Sequence, residues 1–375
     1  MFRHLTLCLL LLAGLAVFAA TTVVVNGKTV NVPVLTSNGK MYIGVADLIK
    51  VLGGTVSFDA AANKLVINVG TAGAAESAQL AGDNGELKKI YSLVKSNPLH
   101  FSLISAEYTT TPLTIGTSHF VPKADEKLLV LHFTVQNPQD KTNFVRYDRL
   151  RITAVDAMNV NHEAVQGWGD EENKGNVALE LKPKQKLACY AGIIVPAKGV
   201  IPKLMIMPWR EGDGPILRYD LRDKVAALPA PIADPADPTG ATALENVPAE
   251  LGKVYPFGNF DVAIEQFSYA DTLTDVKPPT GGRFLIVTAL VKNRSPRDNF
   301  LRYDFFRPYV TDTDGAEVKY RGMLLATRDA NVAQDLKAGA ELRVRLFFAV
   351  EKGSTPVKMS INEGSKTRNY EYAIP

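Results

Sequence analysis

Cysteine is almost missing from this 375-residue chain: only Cys8 and Cys189 occur. Cys8 lies in the apolar stretch that opens the sequence, so once that stretch is removed Cys189 has no disulfide partner within the chain. Stability must then come from hydrophobic cores large enough to manage without staples. An excess of one charge is also missing. The 42 Lys and Arg against 39 Asp and Glu give +3, or +2 without the segment carrying Arg3, which excludes an electrostatic case for a nucleic-acid or membrane-surface partner. No apolar run beyond the first twenty residues is long enough to span a bilayer. Nor is there a G-x-S-x-G elbow, a P-loop or a dinucleotide fingerprint.

The first residues set the compartment. Arg3 and His4 form a short basic start, residues 5–17 are apolar, and Val17-Phe18-Ala19 supplies a small-residue cleavage pattern. A signal peptide over residues 1–19 is expected, with Ala20 as the new N-terminus and an extracytoplasmic destination: periplasmic, cell-surface or secreted. The run is shorter than the roughly 20 residues of a spanning helix, so no membrane span is expected after cleavage.

Residues 21–70 read as a small α+β module. Two runs of β-formers flank Asn26-Gly27, the strongest short hairpin signal, because both residues tolerate positive φ. Residues 41–43 make a further strand after Asn38-Gly39. Val45, Leu48, Ile49 and Leu52 share one helical face, and Gly53-Gly54 stops it. Strands at 55–58 and 64–69 close the unit. The order VNGKTV, NGKMYIGVADLIKVLGGTVSFD, KLVINVG resembles the copper amine oxidase N-terminal-like domain of bacterial envelope proteins. The resemblance implies an accessory module without the copper ligands or quinone of the oxidase, and the segment contains no histidine.

Residues 71–97 read as an Ala/Gly/Ser-rich linker followed by a short helix over 85–95. Residues 226–250 hold Pro229, Pro231, Pro235, Pro238 and Pro248 among alanines and acids, a composition expected to extend as a semi-rigid spacer. On either side of it the chain repeats itself, over 98–225 and 251–375. Lys127-Leu128-Leu129-Val130 matches Arg283-Phe284-Leu285-Ile286, and Asn137 matches Asn293. Residues 143–148 (NFVRYD) match 299–304 (NFLRYD), and after one deletion Asn176-Val177-Ala178 matches Asn331-Val332-Ala333.

Each copy reads as all-β. Leu129, Leu131, Phe133 and Val135 alternate on one strand face, as do Leu285, Val287, Ala289 and Val291. The fold class expected is therefore mainly β, a small α+β module followed by two tandem β-sandwiches. Apolar strand, Asn-containing turn and Lys-Gly turn before the last strands together resemble the immunoglobulin-like fold of uncharacterised bacterial secreted domains. Leu128 and Val130, with Phe284, Ile286 and Leu290, point away from the proposed core. Such an outer face meets the N- or C-terminal strands of its own domain, or else the other domain or a partner molecule.

The duplicated N-F-[VL]-R-Y-D segment is the candidate ligand site. Arg146 or Arg302 could grip an anion, Tyr147 or Tyr303 could stack, and Asp148 or Asp304 completes the set. The structural alternative turns Phe144 and Tyr147 inward while Arg146 and Asp148 pin a loop; duplication favours that alternative. Asp312-Thr313-Asp314-Gly315 starts like a calcium loop but lacks the downstream glutamate, and its counterpart, residues 156–159, keeps only turn-forming geometry. His100, His119, His132 and His162 have no ligand spacing, and Cys189 falls on a core face, so no metal, cofactor or catalytic residue is expected. Trp168 and Trp209 sit in loop-like settings that point to carbohydrate or protein contact. These features imply a non-catalytic envelope scaffold, adhesion or interaction protein. The alternative is a cell-wall polysaccharide or small-ligand binder using the Arg-Tyr-Asp loops. The partner is an envelope protein or a wall polymer in either case, and the oligomeric state stays open.

Overall fold

The structure, a computed structural model, describes residues 23–25, 28–30, 34–37, 40–44, 55–59, 64–68, 84–93, 98–208, 216–273, 276–364 and 367–375. The expected signal peptide, the helix at 45–52, most of the Ala/Gly/Ser linker and Trp209 lie outside these residues. The chain divides into two compact units, Met1–Ala81 and Gly82–Pro375. In the first, Val23–Val25 pairs with Lys28–Val30, Val34–Ser37 with Lys40–Ile43, and Thr55–Asp59 with Lys64–Asn68, each pair antiparallel.

The second unit is all β among its described residues and holds both repeats. The first repeat has one sheet in which Lys186–Pro196, Glu126–Gln136 and His100–Thr109 are neighbours, and a second built on Leu150–Val155, Lys203–Pro208 and Leu217–Asp220. The second repeat has counterparts of these strands in Glu341–Val350, Arg283–Asn293 and Phe260–Ala270, and in Arg307–Asp312, Pro356–Asn362 and Asn369–Ala373. Here Glu317–Leu325 pairs with both Arg307–Asp312 and Glu341–Val350 and joins the two sets into one nine-stranded sheet. Period-two alternation produces this. Every second residue of Glu126–Gln136 faces the partner sheet, so Leu129, Leu131, Phe133 and Val135 are buried together, as are Leu285, Val287, Ala289 and Val291. The β-bulges match as well, at His132/Phe133 against the first strand of one repeat and at Ile264/Gln266 in the other.

Four expectations are corrected. Among the described residues of the expected helix at 85–95, which end at Leu93, no helix forms: Asn84–Gly85 runs parallel to Leu217–Asp220, and Tyr91–Ser92 pairs with His100–Thr109. Gly85 lies under the Tyr219 ring, where a Cβ would collide, so sheet pairing overrides the local helical pattern. The second repeat has an equivalent lead-in, Asn246–Pro248, parallel to Asn369–Ala373. Trp168 is fully buried, with its ring edge-on to Phe133 at 5.7 Å, because its loop folds over the end of the core.

The outer sheet faces are covered not by terminal strands but by the segment that follows the first core strand. In the first repeat the hairpin Leu113–Ile115/Ser118–Phe120 lies there: Tyr190 donates to Thr114 O at 2.5 Å, and a Cβ on Gly192 would occupy the space of Leu113. In the second, Leu273 packs on Phe284, Ile286, Leu324 and Phe347 as a separate small cluster.

The Pro/Ala-rich stretch is not an extended spacer. Val225–Ala226 adds to the edge of His100–Thr109 as a parallel strand. The chain then folds back on itself through Leu228 N–H to Gly240 O at 2.9 Å and the Ala233–Ala243 bridge. Leu228, Ile232, Ala241, Ala243 and Val247 are all buried in one core cluster that runs through both repeats. Alanine loses no side-chain entropy on burial and proline little backbone entropy, so such a stretch packs once a few larger apolar residues anchor it.

Two buried cations hold the assembly. Lys127 has no exposed surface. Its ammonium donates to Ala197 O at 3.2 Å, Gly199 O at 2.6 Å and Ala241 O, and lies 4.3 Å from the centre of the Tyr108 ring. Burial pushes its pKa down to about 8, which still leaves it protonated and a triple donor at neutral pH. Arg368 joins the repeats, donating to Leu244 O at 2.6 Å, Ala124 O at 3.0 Å and Glu126 O at 3.1 Å. Replacing Lys127 with Met strands buried carbonyls and is expected to cost about 2–4 kcal/mol in urea denaturation, with new protease cleavage in residues 226–243. Arg368→Met is expected to split a single calorimetric transition into two, one per repeat.

Candidate functional site

Each repeat carries, outside its main sheets, a small two-stranded ribbon built from the NF[VL]RYD segment. In the first, Asn143–Arg146 pairs with Ala178–Leu181; in the second, Asn299–Arg302 pairs with Ala333–Leu336. Alternation puts Val145 and Leu301 in the core and turns Phe144 and Phe300 outward, leaving them 56% and 54% exposed. This corrects the expectation that Phe144 packs inward. The pairing places Glu180 opposite Phe144 and Ala178 opposite Arg146, and likewise Asp335 opposite Phe300 and Ala333 opposite Arg302. Both repeats therefore present the same outer quartet: phenylalanine, arginine, alanine and an acid.

The base of each ribbon is fixed by a buried asparagine. Asn137 Nδ2 donates to Lys141 O at 2.7 Å and Leu181 O at 3.0 Å, and Asn293 Nδ2 to Arg297 O at 2.7 Å and Leu336 O at 2.8 Å. Their Oδ1 atoms accept from the N–H of Gln139 and Ser295. The next anchor is the first ribbon residue: Arg149 donates to Asn143 Oδ1 at 2.9 Å, and Asn299 Nδ2 to Asn293 Oδ1 at 3.1 Å. The sequence pairs Asn137 with Asn293, but only the structure shows them to be struts.

The arginines do not reach into solvent for an anion. Arg146 grips Asp148 through two N–H groups, one at 2.6 Å, and its guanidinium lies 5.9 Å from the centre of the Tyr147 ring. Arg302 grips Asp304 in the same bidentate way, one bond at 2.6 Å, and holds that carboxyl below the usual carboxylate range. Tyr147 is half-buried and Tyr303 exposed, and the backbone N–H of each donates to the facing strand, at Val177 O and Val332 O. Within each repeat the structure thus brings together all three predicted residues. It combines them into a mutually neutralised planar pair, beside a half-buried ring in the first repeat and an exposed one in the second.

The other candidates resolve structurally. Asp312 Oδ1 accepts from the N–H of Asp314 and Ala316, and Asp156 Oδ1 from Met158 and Val160, with Gly315 and Asn159 at positive φ. Both are side-chain-closed turns. Cys189 is buried beside Phe133, and desolvation pushes its thiol far up, leaving it an inert hydrophobe. His119 bridges the repeats, Nε2 lying 3.1 Å from Gly258 O. Among the described residues no group of three or more His, Cys, Asp or Glu side chains could hold a metal ion. A crevice between the repeats, lined by Thr110, Pro256, Glu363 and Arg368, has a volume of about 20 Å³, room for one water-sized guest.

Residues 249–370 match a domain of unknown function, DUF4352. The matched segment is the second repeat. Among solved structures the chain is similar to an uncharacterised β-sandwich protein from Clostridium difficile, with 11% identity over 37% of this chain and 94% of that one and a TM-score of 0.29. It is also similar to a candidate lipoprotein, ycdA, from Bacillus subtilis, with 17% identity over 33% of this chain and 39% of that one and a TM-score of 0.25. A conserved hypothetical protein from Bacillus anthracis shows 17% identity over 32% and 92% of the two chains, with a TM-score of 0.24. No curated protein matches the chain.

The strut and the clasp separate in a stability test. Asn293→Ala is expected to cost about 2–3 kcal/mol, because two backbone carbonyls lose a buried donor. Arg302→Ala is expected to leave the urea midpoint unchanged, since its ion pair is solvent-exposed.

Proposed function

We propose that the chain is a non-catalytic interaction module of the extracytoplasmic envelope, in which two joined sandwiches present matching contact faces. The observation that carries this reading is the repeated outward phenylalanine. A large apolar ring at the same exposed position in both copies, ringed by arginine, alanine and an acid, has the make-up of an interface core with a polar rim. The export reading draws its support from the basic and apolar start of the chain. The small N-terminal module, similar to the copper amine oxidase N-terminal-like domain, fits an accessory attachment or spacing role.

A second reading, binding of a wall polysaccharide, is favoured by the exposed rings of the ribbons, Phe144 in the first copy and Phe300 with Tyr303 in the second. Aromatic faces stack on the apolar faces of sugars, while the clasped arginines would serve as neutral hydrogen-bond donors.

Phe144→Ser combined with Phe300→Ser tests both readings. Thermal stability is expected to stay within about 0.5 kcal/mol of the parent, since both rings are outside the core. Retention of crosslinked envelope proteins, or co-sedimentation with purified wall polymer, is expected to fall to background. Unchanged retention of both kinds, or turnover of a substrate by the purified protein, would sink the proposal.

A further inference from the structure

The two repeats differ at one end of the sandwich, and the difference exposes a second contact surface, independent of the ribbon faces. In the first repeat Lys127 lies over Tyr108; at the equivalent place in the second repeat Arg283 lies over Tyr269, 3.7 Å from the ring centre. The equivalence is set by register: Leu128 pairs with Thr109 and Leu129 with Tyr108, as Phe284 pairs with Ala270 and Leu285 with Tyr269. One pair is sealed and the other open. Tyr108 is 4% exposed under residues 226–243, whereas Tyr269 is 37% exposed and Arg283 is a surface residue.

The neighbouring strand edge follows the same contrast. Val225–Ala226 adds in parallel to Ala106–Glu107 in the first repeat. The equivalent residues of the second, Phe267–Ser268, pair with Arg283–Asn293 on one side, and among the described residues no strand lies on the other. The strand Val254–Phe257, with Gly252 N–H donating to Ile264 O at 2.7 Å, occupies that edge as far as Ile264. Phe267 is half-buried where its counterpart Ala106 is fully covered. An unpaired edge beside a half-covered apolar side chain is a template for strand addition.

The first repeat shows what fits such an edge. Its occupant, Val225–Ala226, is extended and enters in parallel, and the Ala/Pro-rich chain that follows turns back on itself and buries Leu228 and Ile232. Residues 226–250 carry Asp234, Asp237, Glu245 and Glu250 with no lysine or arginine, and Asp237 acts electrostatically on Lys127. Arg283, at the same mouth in the second repeat, complements an acidic strand of this kind and offers its guanidinium to backbone carbonyls as Lys127 does.

We propose that the edge Gln266–Ala270 of the second repeat, with Arg283 and Tyr269, is a docking site for an acidic, Ala/Pro-rich segment whose first residues add as a short parallel strand, as Val225–Ala226 does in the first repeat. The probe is a synthetic peptide with the sequence of residues 225–242, added to the full chain and followed by hydrogen–deuterium exchange. Saturable protection of amides 266–270 is expected. Arg283→Glu is expected to weaken binding by about tenfold or more without lowering the melting temperature, because the side chain is exposed. Replacing Asp234 and Asp237 of the peptide with Lys should weaken it comparably. Absence of protection at about 1 mM peptide overturns the proposal, as does protection indifferent to Arg283→Glu. Protection that rises with protein concentration alone would assign the edge to a second copy of the chain and overturn it equally.

Discussion

A lysine with no exposed surface needs three hydrogen-bond acceptors, and Lys127 finds them in three carbonyls, those of Ala197, Gly199 and Ala241. Ala197 and Gly199 belong to the turn closing the first sandwich, and Ala241 to the stretch beyond it. The ammonium can be satisfied only if that stretch folds back across the end of the sandwich. Burial of Leu228, Ile232, Ala241 and Ala243 follows, and with them the chain is delivered to Asn246–Pro248, the lead-in strand of the second repeat. Arg368 reaches back from the second repeat to Ala124, Glu126 and Leu244, so the same joint is closed from both sides. What looks like a connector in composition is a structural plug.

The repeats show how one architecture is closed in different ways. Core faces, bulges, lead-in strands and ribbons coincide. The covers do not: a hairpin lies over the outer sheet face of one repeat and a short loop around Leu273 over that of the other. The mouth beside Tyr108 is filled by chain, while that beside Tyr269 is open. Shared features are those demanded by packing, since an alternating strand has only one way to bury its apolar side. The divergent features sit where a sandwich meets whatever comes next to it.

The ribbon places a polar site on a rigid support. Asn137 and Asn293 hold the base, Val145 and Leu301 anchor the inward side, and the outward side is left to Phe144, Arg146, Phe300 and Arg302. Each arginine spends its charge on an aspartate two residues on. Long-range attraction of an anion is therefore weak at these faces, and contact depends on the exposed rings and their rims.

Much of this was written in the sequence. Strand alternation identified the core faces of both repeats, the constant offset revealed the duplication, and paired Gly315 and Asn159 marked a turn where a lone DTDG suggests calcium, because these are properties of local periodicity and backbone freedom. Residues 85–95 misled, since helical spacing there was overruled by parallel pairing and by the Tyr219 ring above Gly85. The Pro/Ala stretch misled for a related reason: composition reports how little a segment can bury by itself, and not the cavity waiting to receive it. The direction of Phe144, the burial of Trp168 and the opposite fates of Lys127 and Arg283 belonged to the tertiary structure alone. Each depends on which distant backbone lies within a few ångströms, and contacts between residues far apart in the chain leave no periodic trace.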